Sequence, residues 1–405
     1  MIQTENLFLR LLKRSLFPQF NLENNDISKE EISSFLPEIA KLAKKHNVFP
    51  PVYHALCELS IPFSDEMHGE YANETLRYCI SSYERLAFFR KVHRLLSEIQ
   101  VRYYVLKGPS LLLCYTEPVF RKYNDIDIYI PDDNEFEKAK NYLLQSGFIP
   151  SSHGADHHQE LYDGQTKQHF LLELHSKIIA TQDASTLNAL VEKEFSKSFP
   201  AFFVTLTGLQ DITFPTFPVT QNAFYLLLHM LEHFLDTGFG IRQLADWALF
   251  LTKYGTQIKK ETFLSYLHQS HLSSFVSIVT TLAKEYFYIP EECTFLITKT
   301  FKEEYKEQFL QDILSAGEFG KADNNRMAIV AGSASRQSPF HLLHKHTVKR
   351  FPKLSRTIIL LPVLWIIAGI CFLYNNRFLR KTSSTAILTT NRKRQKLISQ
   401  LNLPK

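Results

Sequence analysis

Apolar residues across the first hundred positions recur at helical spacing. Leu7, Leu9, Leu11, Leu12, Leu16 and Phe17 line one side of an amphipathic segment. Asp26 or Ser28 can cap a second helix, with Glu31 as capping-box partner for Ser28, running through EISSFLPEIAKLAKKH. Pro50 and Pro51 close the next turn and VYHALCEL follows at helical spacing. A long helix is then predicted from about Asp65 to about Glu98. The charged positions of this block read as a solvated face.

The pattern changes at 101. VRYYVL is short, β-branched and aromatic, and predicts a strand. KGPS follows as a turn, and LLLCY as the start of a helix. After Pro118, DIDIYI alternates strictly and stops at Pro131. Asp132 or Asp133 begins another helix, NEFEKAKNYLLQSGF, with Gly147 as its C-terminal cap. HHQELYDGQTKQHFLLELHSKI predicts a hairpin, with Asp163-Gly164 as turn signal and FLLELH as returning strand. From about 185 to 330 helical patterns dominate again, as in AFYLLLHMLEHFL and IRQLADWALFLTKY. Short extended pieces, FFVTLTGL and ITFPTFPV, interrupt them.

Composition narrows the class. With 33 Phe and 18 Tyr in 405 residues, the chain cannot stay largely unfolded in water. Only 13 Gly argue for helix over a glycine-rich barrel or sandwich. Cys57, Cys79, Cys114, Cys293 and Cys371 are scattered, with no Cys-x-x-Cys pair, so a disulfide scaffold is excluded and a cytoplasmic location is expected. Cys114, after three leucines, reads as a core filler. No secretory signal is expected at the start, because Glu5, Arg10, Lys13 and Arg14 interrupt every apolar run.

Charge is distributed unevenly. Residues 324–405 contain 15 Lys or Arg and no Asp or Glu, whereas residues 1–323 carry 31 basic and 41 acidic side chains, net −10. A basic tail on an acidic body points to a polyanion partner, either nucleic acid or an anionic membrane surface, or to a tail that neutralises the body. Within the tail, 357–376 is uncharged and within the length that spans a bilayer, but Pro362 splits it. It reads as a helix that packs or lies on the inner face of a membrane, anchored by Trp365 and flanking cations, rather than one that spans.

The candidate chemistry lies on the DIDIYI strand. Asp125 and Asp127 are two apart, so both carboxylates project to one face while Ile126, Ile128 and Ile130 take the other. Like charges so placed are costly unless a cation sits between them, and such pairs hold Mg²⁺ for phosphoryl or nucleotidyl transfer. Upstream, Gly108 in LKGPS can offer backbone N–H groups to a phosphate, and Lys107 and Arg121 can supply positive charge to a triphosphate. Glu173 in FLLELH offers a third carboxylate, to complete a metal shell or take a proton from the attacking group. His153, His157 and His158 read as a polar loop, since no Cys or acid at ligand spacing makes them a zinc site. His229 and His233 read as one face of a packed helix.

The run LKGPSLLLCYTEPVFRKYNDIDIYI resembles the core of the nucleotidyltransferase superfamily that includes DNA polymerase β. More closely, the Lys-Gly turn, Tyr-x-x-Pro, Arg and Asp-x-Asp strand resemble the bacterial "uncharacterised nucleotidyltransferase" family. In that resemblance Gly108 fills the glycine position and Ser110 is displaced one residue by Pro109. Asp125 and Asp127 match the metal pair, Glu173 the third carboxylate, and His175 the histidine that follows it. The segments EIAKLAKKHNVFPPVYHAL, LLLHMLEHFLDTGFGIRQLADWALFL, GEFG and FPKLSRTIILLPVLW also look familial, with Arg242 and Asp246 at matching positions lining the cleft together with His175. Pro109, which removes an N–H from the turn, and Glu in place of the commoner Asp at the third position depart from the pattern.

The resemblance implies an α+β fold: a nucleotidyltransferase-fold mixed β-sheet with helices, flanked by N-terminal and C-terminal helical regions. The expected division is 1–98 helical, 99–182 nucleotidyltransferase core, 183–330 a helical region completing the cleft, and 331–405 the basic tail. The implied function is transfer of NMP from a nucleoside triphosphate to an unknown acceptor hydroxyl or amine, with Mg²⁺ or Mn²⁺ held by Asp125, Asp127 and Glu173. Lys107, Gly108, Ser110 and Arg121 would hold the triphosphate. The alternative is an inactive module of the same fold that docks to a membrane or nucleic acid through residues 324–405.

Overall fold

A computed structural model describes residues 2–20, 28–151, 158–165, 170–178, 185–196, 200–208, 211–236, 238–318, 343–344, 347–348, 350–351, 354–374 and 384–403. Asp26, His153 and His157 lie outside these residues, as do residues 319–320 of the GEFG segment. The chain divides into two compact units. One comprises residues 1–229 and 244–300, the other 230–243 and 301–403.

The first unit opens with five helices: α1 (Gln3–Leu16), α2 (Lys29–Ser34), α3 (Leu36–Lys45), α4 (Phe49–Glu58) and α5 (Asp65–Glu98). Ser28 caps α2, its hydroxyl accepting from the Glu31 N–H at 3.2 Å. The reciprocal half of the expected capping box is not made, because the Glu31 carboxylate accepts from Gln3 instead. The single helix expected over EISSFLPEIAKLAKKH is two, because the chain breaks at Phe35 and α3 restarts with Pro37 in its first turn. Long α5 is capped by Ser64, which accepts from the Met67 N–H.

The sheet follows. Strand β1 (Tyr104–Val105) leads into a 3₁₀ turn at Gly108–Cys114, where an α-helix was expected, then to β2 (Asp125–Tyr129). Helix α6 (Asp133–Gln145) is capped by Asp132, which accepts from the Asn134 and Glu135 N–H groups at 2.9 Å. Strands β3 (Phe148–Pro150), β4 (His158–Asp163) and β5 (Leu171–His175) come next, then α7 (Ser185–Phe195), β6 (Phe202–Leu206) and β7 (Ile212–Thr216). The strand order is β3-β4-β5-β2-β1-β7-β6. β2 runs parallel to β5 and β1 parallel to β7, while the other neighbours are antiparallel, so the sheet is mixed. The two extended pieces at 202–216 therefore complete a sheet that continues past residue 182.

One face of the sheet is a core. Ile126, Ile128, Leu161, Leu172, Leu174, Val204 and Phe214 are buried there with Leu86, Phe89, Val92 and Leu96 of α5 and Ala139 and Leu143 of α6. Burial of this apolar surface, at roughly 25 cal/mol per Å², fixes the register, since a one-residue slip would carry the isoleucines to the opposite face. That opposite face then receives Asp125, Asp127, Glu173 and His175 as a consequence of the core. Helices α8 (Val219–Leu235) and α9 (Ile241–Tyr254) follow, with residues 230–243 belonging to the second unit, and then α10 (Lys260–Gln269) and α11 (Ser273–Tyr286), the last α-helices of the first unit.

The second unit contains α12 (Glu303–Ala316), α13 (Leu361–Tyr374) and α14 (Ser384–Ser399). Here Arg394 is buried against Asp312 and donates to the Phe234 carbonyl, and Tyr305 donates to the Leu397 carbonyl. At least one cation of the basic tail is thus neutralised internally. No helix among the described residues is long and apolar enough to cross a membrane.

Candidate active site

Cross-strand pairing assembles the charged face. Asp127 on β2 stands opposite Glu173 on β5, and Glu173 opposite Glu160 on β4. One register step along, Tyr129, His175 and His158 form the next row. Paired residues share a face, so three strands contribute to one surface. His158, expected in a polar loop, instead begins β4, with its ring 5.1 Å from that of His175 and its Nε2 3.7 Å from Glu160. The alternation His158-x-Glu160 ahead of the Asp163-Gly164 turn was the available signal.

At the centre, Asp127 is fully buried. Its Oδ1 lies 3.2 Å from Lys107 Nζ and 3.2 Å from His175 Nε2, while its Oδ2 has no hydrogen-bond partner among the described residues. Lys107 also approaches Asp125 at 3.7 Å, and His175 approaches Glu173 at 3.3 Å. Three carboxylates therefore face two cations, leaving the cluster formally one negative charge in excess.

The two cations are firmly charged. Burial pulls the His175 pKa down, but hydrogen bonds to Asp127 and Glu173 reverse this and raise it to about 9. Burial likewise disfavours charged Lys107, but Asp125 and Asp127 outweigh it and hold its pKa well above the ordinary value. For Glu173, burial pushes the carboxyl up, yet the His175 hydrogen bond and the Lys107 charge bring it below its ordinary value. Asp127, Glu173 and His175 each offer a ligand atom within 4.8 Å of the others, as do His158, Glu160 and Glu173.

A second cluster lies at the turn that carries Lys107. Arg121 is buried, and its Nε and Nη2 donate to the two Asp246 oxygens at 2.8 and 2.9 Å. Its Nη1 donates to the Gly108 carbonyl at 3.0 Å, and Tyr115 donates to Asp246 at 2.7 Å. Arg121, expected to reach a triphosphate, is here committed to Asp246 and to the turn. Asp246, expected to line a cleft, is the anchor for that pair.

Gly108 sits at φ +66°, where a side chain is strained, and a Cβ would lie 3.4 Å from the Asp125 carbonyl. Ser110 is buried, its hydroxyl donating to the Leu106 carbonyl at 2.6 Å, so it shapes the turn. Arg242 lies in the second unit, where it pairs with Glu318 at 3.0 Å. On α8, Tyr225 stacks on His229 at 6.1 Å.

A protein-family model described as "uncharacterised nucleotidyltransferase" matches residues 36–288. No curated protein and no solved structure matches the chain. The matched span is more than half of the 405 residues. It contains Lys107, Gly108, Asp125, Asp127, Glu173, His175 and the Arg121–Asp246 pair, and it ends before the basic tail. Membership carries a general nucleotidyltransferase function and a nucleoside triphosphate as the implied substrate. The chain belongs to the uncharacterised nucleotidyltransferase family.

Proposed function

We propose that this protein is a metal-dependent nucleotidyltransferase that moves NMP from a nucleoside triphosphate to an acceptor hydroxyl or amine. The observation that carries the reading is the buried Asp127 carboxylate, with one oxygen held by Lys107 and His175 and the other without a hydrogen-bond partner among the described residues. A buried carboxylate oxygen left so is costly, and the excess negative charge around it suits a divalent cation. Asp125, Asp127 and Glu173 are the residues that would hold Mg²⁺ or Mn²⁺, oxygen ligands of the type such ions take. A bound cation would neutralise phosphate charge and favour the attacking oxygen.

The remaining roles belong to the chain. Lys107 is placed to trade its contact with Asp125 and Asp127 for a triphosphate oxygen. Arg121 and Asp246 position the Gly108 turn that presents Lys107. Glu173, held ionised by His175 and Lys107, is suited to ligation more than to proton abstraction, because a lowered pKa makes a weaker base. In the transfer, the acceptor forms a bond to the α-phosphorus, and the bond to the bridging oxygen breaks. Pyrophosphate leaves with the electron pair, and the acceptor proton passes to a carboxylate or to solvent.

One observation favours the inactive module as a second reading: Lys107 and His175 already supply most of the charge that the carboxylates need. Transfer of label from α-³²P nucleoside triphosphates to candidate acceptors separates the two. Activity in the wild type that is lost in Asp127→Asn supports the enzyme; equal activity in Asp127→Asn would sink the assignment.

A further inference from the structure

Helix α13 (Leu361–Tyr374) is apolar all round, LPVLWIIAGICFLY. A helix of that composition is ordinarily enclosed on every side. Here Leu364 and Ala368 are buried, and Trp365 is half-buried with its indole N–H donating to His344. Val363, Ile366, Ile367, Ile370 and Tyr374 are between 40% and 64% exposed. At 100° per residue these five fall within an arc of about 100°, one continuous stripe along the helix. Ile359, just before the helix, is 86% exposed and extends it. Trp365 points away from the stripe, so it is not the surface anchor that the sequence suggested.

Charge identifies what would cover the stripe. Over residues 324–405 there are 15 cations and no acidic side chain. In the sequence Arg356 lies five residues before Leu361 and Arg377 three after Tyr374, so cations flank the apolar helix on both sides. A second copy of this chain would bring like charges together at both ends. Nucleic acid would take the cations but gain nothing from exposed Ile and Val. An anionic bilayer suits both features, with aliphatic side chains at the acyl boundary and Lys and Arg at the lipid phosphates. The helix as described is short for crossing: its 14 residues make about 21 Å against a hydrocarbon core of about 30 Å.

We propose that α13 and its flanking cations dock the protein on the surface of an anionic lipid bilayer, with the Val363–Ile366–Ile370 stripe inserted shallowly. The site is independent of nucleotidyl transfer and would stand if that reading failed.

The test is flotation of full-length protein with vesicles of pure phosphatidylcholine and with vesicles of equal parts phosphatidylcholine and phosphatidylglycerol. Binding to the mixed vesicles is expected. It should weaken when salt rises from about 0.1 to about 1 M, as the Debye length shrinks from about 10 to about 3 Å. Ile366→Ser/Ile370→Ser, at exposed positions that leave the melting temperature unchanged, should lower binding at least about tenfold. Arg377→Gln/Arg380→Gln/Lys381→Gln should lower it by on the order of 100-fold. Absence of binding to either vesicle would overturn the proposal, as would undiminished binding by the double serine variant. Sedimentation showing a dimer that the serine variant dissociates, or RNA binding that it abolishes, would assign the stripe to a different partner and equally overturn it.

Discussion

Two ion clusters lie side by side in the first unit, and they differ in completeness. In the Arg121–Asp246 pair every contact is closed: both carboxylate oxygens are taken by one guanidinium, Tyr115 adds a further donor, and the remaining nitrogen of the fork holds the Gly108 carbonyl. The Lys107–Asp125–Asp127–Glu173–His175 cluster is open. It has more carboxylates than cations, a buried oxygen without a partner among the described residues, and contacts of 3.2–3.7 Å rather than 2.7–3.0 Å. A closed cluster has nothing left to offer a ligand, so its role is to fix geometry. An open one retains unspent coordination, so its role is to bind. Gly108 joins the two, with its carbonyl on Arg121 and its neighbour Lys107 on the aspartates.

Breaking the closed cluster should have the largest effect. Arg121→Ala strands a buried carboxylate and should cost about 3–5 kcal/mol, read as a lowered melting temperature at neutral pH. Arg121→Lys keeps the charge but loses the bidentate fork, and should fall between alanine and wild type. If Arg121→Ala retained full stability while only nucleotide affinity fell, the pair would not be the scaffold described.

Asp127→Asn tests the open cluster. Removing a direct ligand should exceed the 10- to 100-fold effect typical of outer-shell partners, so transfer should fall by at least about 100-fold. The variant should also lose any metal-induced rise in melting temperature. A metal-dependent rise that survived in Asp127→Asn would relocate the cation, with the His158–Glu160–Glu173 group as the nearest alternative.

The reach of the sequence differs between the two clusters for a physical reason. The Asp125/Asp127 alternation, the Asp132 cap and the turn near Asp163-Gly164 are local signals, carried by residues a few positions apart, while the mixed α+β class came with the family resemblance. The Arg121–Asp246 pair joins residues 125 apart, and no spacing encodes such a contact; each residue alone reads as a free charge. The same holds for β7, whose pairing with β1 spans about 110 residues, and which in isolation is a short extended piece with a proline. His158 was misplaced because two neighbouring histidines outweighed the alternation that follows it.

pH offers a smaller test. His175 is raised to about 9 in the fold, against about 6.5 in an unfolded chain. Its contribution is therefore complete below about pH 6.5 and disappears as pH rises through about 9, on the order of 3 kcal/mol across that window. Metal-free wild type should lose melting temperature over the interval, and His175→Gln should show a flatter profile. A parallel profile would remove His175 from the ion cluster.

The smallest effect is expected at the link. Gly108→Ala places a side chain at φ +66° and should cost about 1 kcal/mol of stability. It should weaken nucleotide binding more than stability if the turn presents Lys107. Equal loss in both would make the turn merely structural.

The most direct measurement is a calorimetric titration of the full chain with each of the four ribonucleoside triphosphates, with and without Mg²⁺ or Mn²⁺, beside Asp125→Ala/Asp127→Ala. The open cluster predicts binding that requires the metal and is absent from the double variant. Binding absent from the wild type under every combination, or indifferent to both metal and aspartates, would contradict it.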